Sequence, residues 1–160
     1  MHKIREDAVG RWLYRQDKTS RPMIFVDLPV ADVSASRAFW TSLGYPVNEQ
    51  FSDDRALGIV LGDTITAMLL HTDYFKTLTI LPVIDAKSSI QTLLALSCDS
   101  REGVDVLLAA ALAALAALAA GAPEPREAQD LGFMYQRAFS DFDSHTWEIA
   151  WMDPAGYTAG

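Results

Sequence analysis

One order of elements occurs twice in these 160 residues: a strand candidate, a capped helix, then three more strand candidates. Such a repeat constrains the fold more than any local motif, because both copies must solve the same packing problem. The first copy opens at residues 24–30, IFVDLPV, with Ile24, Val26, Leu28 and Val30 on one face and Phe25, Asp27 and Pro29 on the other. Asp32 or Ser34 is placed to cap a helix carrying Ala35, Ala38, Phe39 and Leu43 at helical spacing. Gly44 stops it, since glycine enters the left-handed conformation cheaply. Strands are expected at 46–51, 56–61 and 64–71, separated by Asp53-Asp54 and Gly62-Asp63 turns.

Residues 72–90 break the periodicity and read as a connection with room for one helical turn. The pattern then returns: a buried strand at 91–98, a helix capped by Asp99 or Ser100 and ending at Gly121, and strands at 124–129, 132–139 and 145–151. The helix is rich in Ala and Leu. Its run from Val106 to Ala122 is close to the shortest spanning length of about 17 residues. It is flanked by strands and has a charged first turn, so packing within the protein, or against a second copy, is the expected role. The fold class expected is α+β: two βαβββ modules, at 23–71 and 91–153. Each half-sheet buries one face against its own helix and turns the other toward a shared cleft.

Charge and cysteine content narrow the function. A formal net charge of −8 argues against nucleic acid and against an anionic membrane surface as partners. A single cysteine, Cys98, excludes an intrachain disulfide framework and suits a reducing, cytoplasmic compartment. Cys98 also lies opposite the cleft face by parity, which argues against a nucleophilic role. Residues 1–22 mix charged and apolar side chains without a continuous apolar core and read as an N-terminal extension rather than a secretory signal. Ile4, Ala8, Val9, Trp12 and Leu13 leave a short amphipathic helix open there, and Met23 offers an alternative start. Residues 154–160 read as a tail.

The chemistry turns on the last hairpin, LGFMYQRAFSDFDSHTWEIAWMD at 131–153. Glu148 is an acidic side chain in an apolar strand, with Thr146 and Ala150 on its face and Trp147, Ile149 and Trp151 on the other. A carboxylate in that setting must be solvated, paired or bound to a cation. Arg137, on the neighbouring strand, is a candidate ion-pair partner. Parity allows either Phe133, Tyr135, Arg137 and Phe139 or Met134, Gln136 and Ala138 to line the cleft. Tyr135, Trp147 and Trp151 are read first as core aromatics, and alternatively as flat walls for a planar ligand. His145 sits in the turn and is expected to stabilise the hairpin.

The repeated βαβββ order, LPVADVSASRAFWTSLGY at 28–45 and DFDSHTWEIAW at 141–151 together resemble the vicinal oxygen chelate superfamily. That group includes glyoxalase I, bleomycin-resistance proteins and extradiol dioxygenases. The resemblance covers residues 23–153. It implies a small-molecule ligand in the cleft between modules and a homodimer, with modules paired within a chain or exchanged between chains. In metal-dependent members it implies a divalent ion, Fe, Mn, Ni, Co or Zn, held from the first and last strands of each module.

Carried over position by position, the last-strand carboxylate matches Glu148. The first-strand positions fall at Phe25 and Leu93, which cannot ligate. The remaining position falls at Leu70, with His71 one residue away. A three-ligand set of Asp27, His71 and Glu148 could still be assembled from strand parity and strand ends. The leading expectation is therefore a glyoxalase- or bleomycin-resistance-like binding protein with a degenerate metal site and no confirmed cofactor. Its ligand would meet Phe25, Asp27, Tyr135 and Arg137. The rivals are a metal-dependent lyase, isomerase or dioxygenase using Glu148 as its catalytic residue, and an interaction protein without a ligand cleft.

Overall fold

The computed structural model describes residues 22–120 and 124–156. The extension and its candidate helix, and the last residues of the tail, lie outside these. The first sheet contains β1 (Ile24–Val30), β2 (Val47–Asn48), β3 (Ala56–Gly62) and β4 (Ile65–His71), in the order β1-β4-β3-β2. The second contains β5 (Leu93–Ser97), β6 (Gln129–Asp130), β7 (Met134–Ser140) and β8 (Thr146–Met152), in the order β5-β8-β7-β6. In each sheet the first and last strands of the module run parallel and the other pairs are antiparallel. The class is α+β, with two βαβββ modules.

Helix α1 (Val33–Ser42) follows β1, and α3 (Arg101–Ala117) follows β5. Local chemistry sets their starts. The Asp32 carboxylate accepts from Ala35 N at 2.9 Å, and the Ser100 hydroxyl accepts from Gly103 N at the same distance. Of the two candidate caps at each site, these two act. Gly44, at φ +86°, turns the chain out of α1 so that Tyr45 N reaches Trp40 O at 3.2 Å. A similar turn ends α3 earlier than Gly121: Ala119 takes φ 55° and Ala120 N reaches Leu115 O at 2.9 Å. A short helix α2 (Thr72–Phe75) opens the connection between modules.

Several expected strands are shorter than the pattern suggested, two of them reduced to a pair of residues. Residues 49–51 leave the ladder as a single tight turn, because the Asn48 side chain accepts from Gln50 N and rewards a turn over an extended chain. The expected strand at 124–129 shrinks to Gln129–Asp130. Pro125 offers no ladder donor there, and Glu124 is drawn to Arg137.

The two modules share one core on their helix-bearing sides. Leu28, Val30, Leu57, Ile59 and Leu69 of the first sheet join Phe39 and Trp40 of α1, Val104, Leu108 and Leu115 of α3, and Phe139, Trp147 and Ile149 of the second sheet. Trp40 and Trp147 meet across the modules at a centroid distance of 4.6 Å, edge to face with their planes inclined at 69°. Leu94, Leu96 and Cys98 pack toward this core from β5, leaving Leu93, Ala95 and Ser97 on the opposite, exposed face. Burial accounts for α3, whose Val104, Leu108, Ala111 and Leu115 are all enclosed. Among the described residues no helix is long and apolar enough to cross a membrane.

Candidate functional site

Strand register settles which side chains share a face. Glu148 stands between Ala95 of β5 and Ala138 of β7, on the concave side of the second sheet, away from α3. Its side chain is 14% exposed, and its partner is Arg126, whose Nη2 lies 2.5 Å from Glu148 Oε1. The contact is an ion pair by distance but not an aligned hydrogen bond. Arg126 Nε and Nη2 are shielded from solvent and have no acceptor in good geometry among the described residues. Arg126 comes from the irregular segment before β6, where no periodicity marks it. That is why the sequence pattern identified the carboxylate and missed its cation.

Arg137, the expected partner, lies on the other face. It bonds Asp105 of α3 at 2.9 Å through Nη1 and Glu124 at 3.1 and 2.7 Å through Nε and Nη2. Tyr135 shares that face and donates to Asp105 at 2.8 Å. Hydrogen bonds donated by Arg137 and then Tyr135 hold the Asp105 carboxyl below its ordinary range, and the bonds that Arg137 donates to Glu124 and Asp105 push its guanidinium up. Tyr135 and Arg137 thus tie β7 to α3, and the face they occupy is not the face of Glu148. The set that lines the concave side is Met134, Gln136 and Ala138.

The first sheet distributes its candidates differently. Phe25 and Asp27 do share the concave face of β1, opposite Thr66 and Met68 of β4. Phe25 meets Phe51 edge-on at 5.9 Å. Burial raises the Asp27 carboxyl above its ordinary value. His71 ends β4 opposite Val30, hence on the side away from Asp27. Its Nδ1 accepts from Asp73 N at 3.3 Å and caps α2.

The fit to a divalent metal can now be tested on the donors themselves. Asp27, His71 and Glu148 lie on different faces or different sheets, and Glu148 already has a guanidinium against it. Among the described residues no three His, Cys, Asp or Glu side chains converge in a way that could hold an ion. Phe25, Leu70 and Leu93 supply no donor. The residues do not fit the metal that the resemblance implies.

What the fold does create is a cavity of about 650 Å³ where the end of β1 meets the starts of β5 and β8, roofed by the connection after α2. Asp27, Pro29, Leu81, Ile84, Leu94 and Thr146 are among its walls, with Lys76, Lys87, Asp143 and His145 as further polar groups. The modules are joined beside it by Ala31 N, which donates to Asp143 Oδ1 at 2.7 Å. Burial raises the Asp143 carboxyl, with the Asp141 charge adding to it. Asp141 organises the hairpin: its carboxylate accepts from Asp143 N, His145 N and Trp147 Nε1 at 3.0, 2.9 and 2.9 Å, and lies 3.1 Å from His145 Nδ1. Burial alone would lower the His145 imidazole, but the hydrogen bond and charge of Asp141, with the charge of Asp143, outweigh it and raise the group.

A model of the bleomycin resistance protein-like N-terminal family matches residues 23–56. No curated protein matches the chain in sequence. Solved structures match its fold along most of its length. A glyoxalase/bleomycin resistance protein/dioxygenase family enzyme from Burkholderia phytofirmans is similar at TM-score 0.64 and 19% identity, over 82% of this chain and 99% of that one. A glyoxalase-related enzyme from Fulvimarina pelagi reaches 0.65 at 18% identity, over 82% and 88%. A lactoylglutathione lyase from Agrobacterium tumefaciens reaches 0.56 at 13% identity, over 84% and 96%.

Proposed function

We propose that this chain, which has the fold of the glyoxalase, bleomycin resistance protein and dioxygenase superfamily, is a small-molecule-binding protein whose ligand occupies the cavity between its modules, 23–71 and 91–153. One observation carries the reading. The cavity of about 650 Å³ lies within the range of small-molecule sites, roughly 300–1,000 Å³, and combines apolar walls with a few polar groups. Leu81, Ile84 and Pro29 supply apolar surface, and Asp27, Lys76 and His145 the polar contacts that fix orientation. A ligand with a flat or compact apolar body and one or two polar substituents suits this lining.

The protein is further proposed to act as a homodimer in a reducing, cytoplasmic setting. β1 and β5 are edge strands of their sheets, and Ile24, Phe25 and Leu93 are 57%, 45% and 52% exposed along them. Exposed apolar edges of this kind are commonly covered by another chain. The half-buried Cys98 is a free thiol, in keeping with a reducing compartment.

The cavity is tested with anilinonaphthalene sulfonate as an apolar probe. Saturable fluorescence enhancement at one probe per chain, abolished in Ala31→Trp, is the expected result. Enhancement that survives Ala31→Trp, or none in the parent protein, would defeat the reading. Sedimentation equilibrium tests the dimer separately: a monomer at all concentrations ends that part of it.

A further inference from the structure

We infer that the cavity between the modules takes the monoanion of a weak oxygen acid, a phenolate or carboxylate on an apolar body, and that His145 receives its charged oxygen through Nε2. The inference rests on the reading of that cavity as a ligand site and names the class of ligand.

Three observations converge. First, the hairpin fixes the imidazole and decides which nitrogen is free. Asp141 accepts from Asp143 N, His145 N and Trp147 Nε1, so its carboxylate is held in place before any ligand arrives. A carboxylate so bonded only accepts, and His145 Nδ1, 3.1 Å from Asp141 Oδ2, therefore carries a proton toward it. The nitrogen that gains and loses a proton is then Nε2. Second, Nε2 has no partner among the described residues, yet it is not sealed from solvent. The side chain is 11% exposed and forms part of the cavity wall, which makes the cavity the space onto which Nε2 opens.

Third, the charges around the ring leave room for one anion. Two of the carboxylates lining the cavity are engaged: Asp85 accepts from Lys87 N at 3.0 Å within its own turn, and Asp143 accepts from Ala31 N at 2.7 Å. The connection brings two ammonium groups. Lys76 is partly offset by Asp73 at 3.8 Å, and Lys87 lies close enough for its charge to act on Asp143. Asp27, from the other module, has burial alone acting on its carboxyl. It would repel a second negative group, which restricts the class to monoanions.

The Asp141 bond also makes the ring easier to charge. His145 is raised against the opposing effect of burial, so near neutral pH more of the rings present Nε2–H to the cavity. A charge-assisted bond from that N–H to an oxyanion is stronger than a neutral one. Anion and proton then favour each other: the bound anion raises His145 further, and His145 lowers the ligand's own pKa by the same factor. The apolar body lies against Pro29, Leu81 and Ile84.

The test uses the full chain with 4-nitrophenol, whose absorption reports its own ionisation, and 4-nitroanisole, which has nearly the same shape and no ionisable oxygen. Bound 4-nitrophenol is expected to ionise at a lower pH than the free compound. His145→Gln should return that ionisation to the free value and weaken the anion about tenfold or more, the usual effect of losing a charged hydrogen bond. Unchanged 4-nitroanisole binding in this variant shows that the cavity is intact. In the parent protein, the His145 ring followed by NMR should titrate at higher pH with 4-nitrophenol present and not with 4-nitroanisole. That second measurement decides the matter even where His145→Gln disturbs the hairpin. Equal ionisation of bound 4-nitrophenol in parent and variant, or a His145 titration that the anion leaves unmoved, would overturn the inference. If 4-nitroanisole binds and 4-nitrophenol gains nothing over it, the inference falls and the cavity reading stands. If neither binds, both fall.

Discussion

Two aromatic pairs, one on each side of the sheets, show how differently the two sides are used. Trp40 and Trp147 pack edge to face at 4.6 Å, both 1% exposed, where the helix-bearing faces of the modules meet. Phe25 and Phe51 also pack edge to face, at 5.9 Å, but on the concave side, where they remain 45% and 44% exposed. The geometry is of one kind. The surroundings are opposite. The helix side removes large apolar groups from water and joins the modules; the concave side leaves apolar groups and small residues available to something else. Stability and recognition are thereby assigned to different faces of the same strands.

The sharpest way to break this division is to truncate the buried pair. Trp40→Ala is expected to destabilise the protein by about 3–5 kcal/mol, the range for removing a fully enclosed large aromatic. Denaturant unfolding followed by far-UV circular dichroism measures it. A loss below about 1 kcal/mol would mean that the modules do not depend on their shared core.

The next effect in size tests the polar support beneath the same core. Asp141, 7% exposed, accepts from Trp147 Nε1 and from the backbone of the hairpin that ends at the cavity. Asp141→Ala strands these buried donors and should cost about 1–3 kcal/mol. The neighbouring His145 adds a pH signature. Its imidazole is raised above 6.5 in the folded protein, by Asp141 and Asp143 against the opposing effect of burial. The folded state thus holds the proton more tightly than the unfolded chain. The resulting stabilisation is fully present below the unfolded value and is lost as pH rises through the higher folded one. Lys87, through its charge on Asp143, is the cation to watch on the facing connection. His145→Gln should flatten this part of the stability profile, and an unchanged profile would remove His145 from the account.

These elements were unequally legible in the sequence, for a physical reason. Capping and period are local, so each cap could be narrowed to two neighbours, Asp32 or Ser34 and Asp99 or Ser100, and the alternating faces of β1 and β8 could be read directly. Glu148 was legible as a carboxylate in need of a partner, because polar groups in apolar strands always pose that question. The partner was not. Arg126 sits far from Glu148 along the chain, in a segment after Pro125 without periodicity, and only the folded path of the loop brings them together. Arg137 was the natural choice by proximity, yet it pairs with Ile149, one residue out of register with Glu148, so it faces the other side, and Asp105 of α3 claims it. A cleft between the modules was expected from the repeat, but its roof was not legible, since the connection that forms it breaks the pattern.

A smaller effect examines the turn that links the two sides. Ser144 takes φ 72° at the tip of the β7–β8 hairpin, in the left-handed region that favours glycine. An L side chain in this region costs about 1 kcal/mol relative to glycine. Ser144→Gly is expected to stabilise the protein by up to that amount, read as an upward shift in the denaturation midpoint. No gain would show that the serine is compensated by its surroundings.

The smallest effect is expected from the exposed pair, and it tells most about the concave face. Phe25→Ala removes an edge-to-face contact that is worth about 0.5–1.5 kcal/mol when buried. With both rings nearly half exposed, the loss in the isolated chain should stay below about 1 kcal/mol. The same substitution acts differently if a second copy covers the strand edge. Then the cost grows with protein concentration, because the association that buries Phe25 adds its free energy to the folded state. Measuring the variant at two concentrations separates these cases. A small, concentration-independent cost leaves the concave face of the first sheet open to a ligand or to nothing. A cost that rises with concentration makes Phe25 a contact between chains, and it would then be the concave side, as much as the buried tryptophans, that decides the stability of the assembled protein.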